Sequence, residues 1–205
     1  MVNTYEFIAE PTPFCIFAIQ KFVKLMKKNW AYRLLEFQGW TIPNEVELPA
    51  KSVLCVAPHT SNWDFIYGML FKKAVHLDAH FFMKKEWFRF PLGGLMRSLG
   101  GVPVDRSKKT ALTDQIAEEF SKHDVFHIAI TPEGTRKAVP DWKKGFYIIA
   151  QKAGVPIVLT YIDFAKKEIG YGKIFQPTGN MESDMAEIKA FFRTKVGKIP
   201  ENFGI

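Results

Sequence analysis

A histidine and an aspartate five positions apart follow a short apolar run in the first third of the chain. The run, residues 53–57, is rich in Val and Leu and predicts a buried strand, and Ser61 or Asn62 can cap a helix after it. His59 then lies at the carboxyl end of the strand and Asp64 in the first turn of the helix, so the two side chains can meet across the turn. A carboxylate that holds one imidazole nitrogen fixes the tautomer and leaves the other nitrogen free to accept a proton. The spacing therefore suits a general base and its orienting group.

A second polar cluster, Thr131-Pro-Glu-Gly-Thr-Arg136, directly follows another apolar run. Gly134 permits a close approach of the backbone or a positive φ. Glu133 and Arg136 could pair with each other or clamp a ligand, and an arginine can hold a phosphate through two parallel hydrogen bonds. A plain surface turn with a local ion pair is the competing interpretation.

A third cluster, Gly100-Gly-Val-Pro-Val-Asp-Arg106, offers flexible backbone, a short extended stretch and then an arginine. Each cluster alone is a weak signal, because Arg106 could be a solvated charge, Asp64 a helix cap and His59 an ordinary loop histidine. All three clusters, however, border apolar segments, and ligands of α/β folds collect at the carboxyl ends of strands. The combination favours a functional site more strongly than any one cluster does.

Alternating strands and helices are predicted from residue 52 onward. The predicted strands are 53–57, 79–83, 125–131, 157–161 and 173–175. The predicted helices are 62–75, 88–99 with an irregular start, 112–121, 142–153 and a last one capped by Ser183 that runs to about residue 196. This alternation predicts an α/β fold with a mostly parallel central sheet flanked by helices.

A basic, amphipathic segment precedes the α/β pattern. Apolar residues between Phe14 and Met26 recur at near-helical spacing, lysines accompany them, and Trp30 stands at the far end. Such a helix can lie in the interface of an anionic bilayer, although packing on the protein's own core is the commoner outcome. No run approaches the roughly 20 apolar residues that span a bilayer, and no secretory signal is expected. We therefore divide the chain into a membrane-contact segment, residues 1–38, and an α/β domain, residues 39–205.

The composition narrows the class of protein. The chain has 205 residues, 47% of them hydrophobic and 15% aromatic, which excludes a disordered, collagen-like or coiled-coil protein. Its net charge of +7 suits a nucleic acid, a membrane surface or a polyanionic small molecule as partner. Nucleic acid is the least favoured, because no recognition motif is present and the aromatic residues lie mostly in apolar runs. The two cysteines have no metal-binding spacing, and Cys55 is expected to be an inert buried thiol.

Four motifs in order resemble those of the glycerolipid acyltransferases, which include the bacterial 1-acylglycerol-3-phosphate acyltransferases. They are His59-Thr-Ser-Asn-Trp-Asp64, Gly101-Val-Pro-Val-Asp-Arg106, Pro132-Glu-Gly-Thr-Arg136 and Val155-Pro-Ile-Val158. The resemblance covers roughly residues 52–161. The chain departs from the family pattern before the histidine, before the Pro-Glu-Gly step and in the last motif, at Pro58, Thr131 and Leu159. These departures leave the base and its orienting carboxylate intact.

The resemblance implies a role for each site residue. His59 would deprotonate an acceptor hydroxyl with Asp64 orienting it, and the alkoxide would attack an acyl thioester directly, without an acyl-enzyme. The resemblance also implies an oxyanion site near the histidine, formed by backbone amides. Substrate binding would fall to a set of residues in which the glutamate orients neighbouring groups or the glycerol hydroxyl: Arg106, Glu133, Gly134, Thr135, Arg136 and, as a second-rank candidate, Lys144.

The implied function is that of a transferase in phospholipid biosynthesis. The fatty acyl group would come from a thioester of coenzyme A or acyl carrier protein, with no cofactor and no metal. The acceptor most favoured is 1-acylglycerol-3-phosphate, which would give phosphatidic acid; another lipid acceptor, or a non-catalytic lipid-binding module, is the alternative. We expect the protein at the cytoplasmic face of the cell membrane, bound peripherally or monotopically to the anionic surface.

Overall fold

The computed structural model of the chain describes residues 28–43, 46–104 and 109–205. The amphipathic stretch between Phe14 and Met26 and the arginine of the second motif, Arg106, lie outside these residues. Predictions made for those two features therefore stay predictions. The later motifs fall within the described ranges.

A six-stranded sheet forms the centre of the described fold. Its strands are β1 Lys51–Ala57, β2 Ala79–Lys84, β3 Gly101–Val104, β4 Phe126–Ile130, β5 Ile157–Asp163 and β6 Glu168–Phe175. The strand order is β3-β2-β4-β1-β5-β6, and every neighbouring pair is parallel except β5 and β6. The predicted α/β fold with a mostly parallel sheet is confirmed.

Helices cover the sheet at most of the predicted positions. They are α1 Trp30–Phe37, α2 Trp63–Ala74, α3 Gly93–Ser98, α4 Lys109–Lys122, α5 Gly145–Ala153 and α6 Met181–Phe192, with short 3-10 turns at Lys85–Phe88 and Pro200–Asn202. The predicted cap of the last helix was wrong. Asn180 caps it, because the Asn180 side chain accepts a hydrogen bond from the Ser183 N–H at 3.3 Å.

The strand β1 is buried on both faces, which makes it a firm base for the loop that follows. Its side chains alternate between two cores, as the two-residue period of a strand requires. Val53, Cys55 and Ala57 join the core beneath α5 and α6, whereas Leu54 joins the core beneath α1 and α2. Five of the seven residues of β1 are at most 1% exposed: Ser52, Val53, Leu54, Cys55 and Ala57.

The helix α1 belongs to the second core. Ala31 and Leu35 are fully buried, and Asn29 caps the helix by accepting hydrogen bonds from the Ala31 and Tyr32 N–H groups. The same Asn29 side chain donates to the Lys73 carbonyl at 2.6 Å and so ties α1 to α2. The carboxyl end of the predicted membrane-contact segment thus packs on the α/β body. Within the described ranges, no helix is long and apolar enough to cross a membrane.

Candidate active site

The structure brings His59 and Asp64 together at the carboxyl edge of the sheet. His59 follows β1 between the neighbouring strands β4 and β5, and Asp64 lies in the first turn of α2. Nδ1 of His59 is 3.4 Å from Oδ2 of Asp64. The Asp64 side chain is only 3% exposed and the His59 side chain 19% exposed, so the carboxylate is buried while the imidazole reaches the surface. This is the geometry of an oriented imidazole with one ring nitrogen left for a substrate.

The Asp64 carboxylate is fixed by the loop that joins the strand to the helix. Its Oδ2 accepts hydrogen bonds from the Thr60 N–H at 2.6 Å and the Ser61 N–H at 2.7 Å. The Ser61 hydroxyl donates to Oδ1 at 3.3 Å and accepts from the Trp63 N–H at 3.1 Å, so Ser61 also caps the start of α2. The position of the carboxylate is therefore set by the protein before any substrate binds.

Glu133 comes from the loop after β4 and contacts the backbone of His59. Its Oε1 accepts a hydrogen bond from the His59 N–H at 3.0 Å, and its Oε2 is buried without a hydrogen-bond partner among the described residues. The pKa of Glu133 is raised to about 7, chiefly because the carboxyl is buried; the hydrogen bond from the His59 N–H lowers the pKa and the negative charge of Asp64 raises it. The contact that the structure shows is thus with the backbone of the proposed base. The ion pair with Arg136 that the sequence left open does not form.

The backbone amides nearest His59 are already engaged. The N–H of His59 donates to Glu133, and those of Thr60 and Ser61 donate to Asp64. An oxyanion has no free donor among these three groups. The prediction of backbone donors near the histidine names no residues and stays a prediction.

The loop of the third motif presents its cations at the surface. Gly134 has φ of +65°, and a Cβ there would lie 2.7 Å from Cε of Lys143, so the bare glycine lets that lysine pack across the loop. Thr135 is half-buried and Arg136 is exposed. Lys144 is also exposed and precedes the first turn of α5. Lys143 is held in place because its N–H donates to the Pro132 carbonyl at 2.8 Å.

The sequence prediction names Lys144, whereas the structure packs Lys143 against Gly134. Lys143 and Lys144 are adjacent in the sequence, and only the packing of Lys143 against Gly134 distinguishes one from the other. The signal in the sequence is Gly134, because a glycine at positive φ often marks a close approach by another group. Arg136 and Thr135 follow Glu133 in this loop, Lys143 packs on it, and Lys144 is the next residue; we call these four residues the rim. Their role in substrate binding stays a prediction.

A contact with the carboxyl-terminal segment was also missed from the sequence. The Ile199 N–H donates to Oγ1 of Thr60 at 3.2 Å, and Nδ2 of Asn202 donates to the Thr60 carbonyl at 3.3 Å. Gly197 packs so closely that a Cβ there would lie 2.8 Å from Oγ1 of Thr60. About two thirds of the chain separates these partners, so no local pattern reveals the contact. These contacts of Gly197, Ile199 and Asn202 with Thr60, which we call the clamp, hold the loop that carries His59.

The remaining candidate groups fit structural roles. Burial raises the pKa of the Cys55 thiol, with Glu133 adding to the effect, so this cysteine stays protonated and unreactive. Within residues 28–43, 46–104 and 109–205, no group of three or more His, Cys, Asp or Glu side chains is placed to hold a metal ion.

The chain belongs to the acyltransferase family, whose family model matches residues 40–163, a range that includes the His59–Asp64 pair and the Glu133–Arg136 loop. Among solved structures it is similar to PlsC, the 1-acyl-sn-glycerophosphate (LPA) acyltransferase of Thermotoga maritima. The match has a TM-score of 0.57 and 18% sequence identity, and covers 87% of this chain and 82% of that chain. At this identity the likeness establishes the fold. A search of curated proteins finds no significant match. The resemblance to glycerolipid acyltransferases is confirmed.

Proposed function

We propose that this acyltransferase moves a fatty acyl group from an acyl thioester to the free hydroxyl of a lysophospholipid, with His59 as the general base. The observation that carries the proposal is the 3.4 Å approach of His59 Nδ1 to the buried Asp64 carboxylate at the carboxyl end of the central strand. A non-catalytic lipid-binding module would need no such pair.

The proposed reaction follows from which ring nitrogen is engaged. Asp64 holds the Nδ1 side of the imidazole, so Nε2 is left without a proton and can accept one from the acceptor hydroxyl. The hydroxyl oxygen then attacks the carbonyl carbon of the thioester, a C–O bond forms, and the C–S bond breaks. His59 returns its proton to the departing thiolate, which leaves the enzyme in its starting state. No acyl-enzyme is required.

The rim of the site favours a phosphorylated acceptor. Arg136 belongs to the loop in which Glu133 accepts from the His59 N–H, Lys143 packs on Gly134 of the same loop, and Lys144 is the next residue. Guanidinium and ammonium groups at an exposed rim suit a phosphate monoester, which carries close to two negative charges at neutral pH. We therefore propose 1-acylglycerol-3-phosphate as the acceptor, with Arg106, Gly134 and Thr135 completing the binding site. The donor is a thioester of coenzyme A or of acyl carrier protein.

A membrane-facing position suits both a lipid acceptor and the exposed apolar side chains of α1 and α2. Trp63 and Ile66, in the first turns of α2, are 52% and 45% exposed, and Trp30 and Phe37 on the adjoining helix α1 are 61% and 89% exposed. Large aromatic side chains exposed together are typical of contact with a partner or a membrane. We propose that this face and residues 1–38 contact the cytoplasmic surface of the membrane peripherally, ahead of the α/β domain of residues 39–205.

The test is acceptor-dependent release of thiol from a long-chain acyl thioester in mixed micelles. We expect wild type to release thiol when 1-acylglycerol-3-phosphate is added, and His59→Ala to lose that release while keeping its fold and its binding to anionic vesicles. His123→Ala is the matched control, because His123 is an exposed histidine between α4 and β4, at the amino edge of the sheet, whereas His59 lies at the carboxyl edge. Release by His59→Ala at the wild-type rate would remove the proposed base. Vesicle binding without release from either donor would instead indicate the lipid-binding module.

A further inference from the structure

A cavity of about 600 Å³ lies on the side of the catalytic loop away from Arg136. In the sheet, β4 and β5 flank β1 on opposite sides. The loop of Arg136 follows β4, whereas Phe164, which lines the cavity, follows β5. The volume is in the range of small-molecule and cofactor pockets. The described residues that line it belong to none of the four motifs of the sequence.

The cavity adjoins the catalytic loop through two of its walls. Gly197 lines it and packs against Thr60, the residue after His59. Tyr67 lines it as well and lies three residues after Asp64 on α2, about one helical turn away. A ligand held in the cavity would therefore be a neighbour of the proposed base.

Three aromatic rings in mutual contact form the apolar wall. The ring centroids of Trp40 and Tyr67 are 4.4 Å apart, and Phe164 meets them edge-on at 5.1 Å and 5.5 Å. The Tyr67 hydroxyl is fixed because it donates to the side chain of Gln38 at 3.1 Å. Rings locked in this way offer a preformed surface for a flat heteroaromatic group, since aromatic pairs favour offset and edge-to-face contacts.

Two lysines supply positive charge at the mouth of the cavity. Lys167 donates one hydrogen bond to the Gln38 carbonyl at 3.0 Å, and the Lys198 ammonium lies 5.5 Å from the centre of the Phe164 ring. Both side chains are exposed, and no acidic residue is among the described residues that line the cavity. The charge therefore complements an anion that reaches the rings from solvent.

We propose that this cavity binds the adenosine phosphate portion of coenzyme A, which makes acyl-CoA the donor. This inference rests on the proposed function, which requires a second substrate site for the thioester beside the acceptor site at Arg136. The purine ring packs on the half-buried Tyr67 and Phe164, with the buried Trp40 behind them, and the phosphates of the nucleotide contact Lys167 and Lys198. The thioester then reaches His59 along the side of Thr60. A carrier-protein thioester has phosphopantetheine but no adenosine, so it would leave the cavity empty.

The first test is binding of adenosine 3′,5′-bisphosphate to the full chain in detergent micelles, measured by titration calorimetry. We expect a double variant, Lys167→Ala with Lys198→Ala, to bind at least about tenfold more weakly, because two charge-assisted contacts are lost. Lys173→Ala is the control: Lys173 is an exposed lysine of β6 that pairs with Glu187 and does not line the cavity. Phe164→Leu should weaken adenosine bisphosphate but leave inorganic pyrophosphate unchanged. Absence of binding to wild type, or equal affinity in the lysine variants, would overturn the proposal.

The second test separates this inference from the proposed function. The same acyl group is offered as the coenzyme A thioester and as the phosphopantetheine thioester. The second donor differs only because it lacks the adenosine 3′,5′-bisphosphate portion. We expect wild type to favour acyl-CoA by about tenfold in kcat/KM, and the ratio to approach one in the double lysine variant. Acceptor-dependent transfer with equal kcat/KM for both donors would overturn the cavity assignment alone. No transfer from either donor would contradict the proposed function, and the calorimetric result would still decide the cavity.

Discussion

The inner part of the candidate site and its rim differ in how firmly the protein holds them. Inside, Asp64 and Glu133 are buried carboxylates whose oxygens accept hydrogen bonds from the backbone around His59. At the rim, Arg136 and Lys143 are exposed, and neither side chain makes a hydrogen bond or ion pair with the other described residues. The inner groups are already in place for chemistry, whereas the rim groups gain partners only when an anion arrives.

This difference predicts how substitutions divide between the two parts. Changes to the inner carboxylates should lower kcat or alter stability, because they disturb a preorganised arrangement. Changes at the rim should raise the KM of the charged substrate and leave kcat nearly unchanged, because they remove binding alone.

The largest expected effect is that of Asp64→Asn. Asparagine keeps the shape, and its amide oxygen can still accept from the Thr60 and Ser61 N–H groups at the Oδ2 position, but it lacks the negative charge that stabilises the imidazolium formed when His59 accepts a proton. We expect kcat to fall by about a thousandfold, with KM for either substrate within about twofold of wild type. Steady-state kinetics in mixed micelles measures both. A large KM effect with an intact kcat would place Asp64 in substrate binding instead.

The second prediction concerns the stability of Glu133→Gln. The pKa of Glu133 is raised from 4.5 to about 7, so the folded state binds the proton more tightly than the unfolded state. Stability from this group is therefore fully present below about pH 4.5 and is lost as the pH rises to about 7. Between pH 5 and pH 8 wild type should lose about 2 kcal/mol more unfolding free energy than Glu133→Gln.

Urea unfolding of the two proteins at both pH values measures that difference. Burial lowers the pKa of His127, which makes stability rise with pH, but His127 is common to both proteins and cancels in the comparison. If the unfolding free energies of wild type and Glu133→Gln change with pH in the same way, the pKa of Glu133 is not raised in the folded protein and the prediction is wrong.

At the rim, Arg136→Ala should raise the KM for 1-acylglycerol-3-phosphate by about tenfold through the loss of charge-assisted hydrogen bonds. The KM for the acyl donor and kcat should stay near their wild-type values. Lys137→Ala provides the control, because Lys137 is the next residue and equally exposed. The contrast between inner part and rim fails if Arg136→Ala lowers kcat as strongly as Asp64→Asn does.

The smallest expected effect is at the clamp on the catalytic loop. Asn202→Ala removes the hydrogen bond to the Thr60 carbonyl and leaves the one from Ile199, so we expect a loss of about 1 kcal/mol in stability and a few-fold lower kcat. Glu201→Ala, at the exposed neighbouring position, should change neither quantity. Thermal unfolding together with kcat distinguishes the two variants. Equal stability and equal kcat in Asn202→Ala and Glu201→Ala would mean that the clamp does not position the loop.

Local features of the fold and site were predictable from the sequence, whereas features that depend on distant contacts were not. The approach of His59 to Asp64 follows from a strand, a turn and a helix start within a few residues, so the sequence showed that the two side chains can meet, and the order of the motifs favoured that they do. The edge strand β3 was expected only as an extended stretch, because Pro103 and Gly101 weaken any strand pattern there. The strand β6 begins five residues before the predicted start, since Gly170 and Gly172 interrupt its apolar residues.

Long-range partners were the part that sequence reasoning could not reach. Glu133 turned to the His59 amide instead of Arg136 because β4 and β1 are parallel neighbours, which places the two loops side by side. The aromatic cavity joins Trp40, Tyr67 and Phe164 from three separate elements, and each looks like an ordinary core residue on its own. Such sites have no signature along the chain because tertiary packing alone assembles them.

The central claim, that His59 and Asp64 act as one unit, is tested most directly by a double-mutant cycle on kcat. The cycle compares wild type, His59→Ala, Asp64→Asn and the double variant under saturating acyl-CoA and 1-acylglycerol-3-phosphate. If Asp64 acts only through the imidazole, the double variant should be no slower than His59→Ala alone. Losses that multiply in the double variant would contradict the account, because Asp64 would then contribute to the reaction independently of His59.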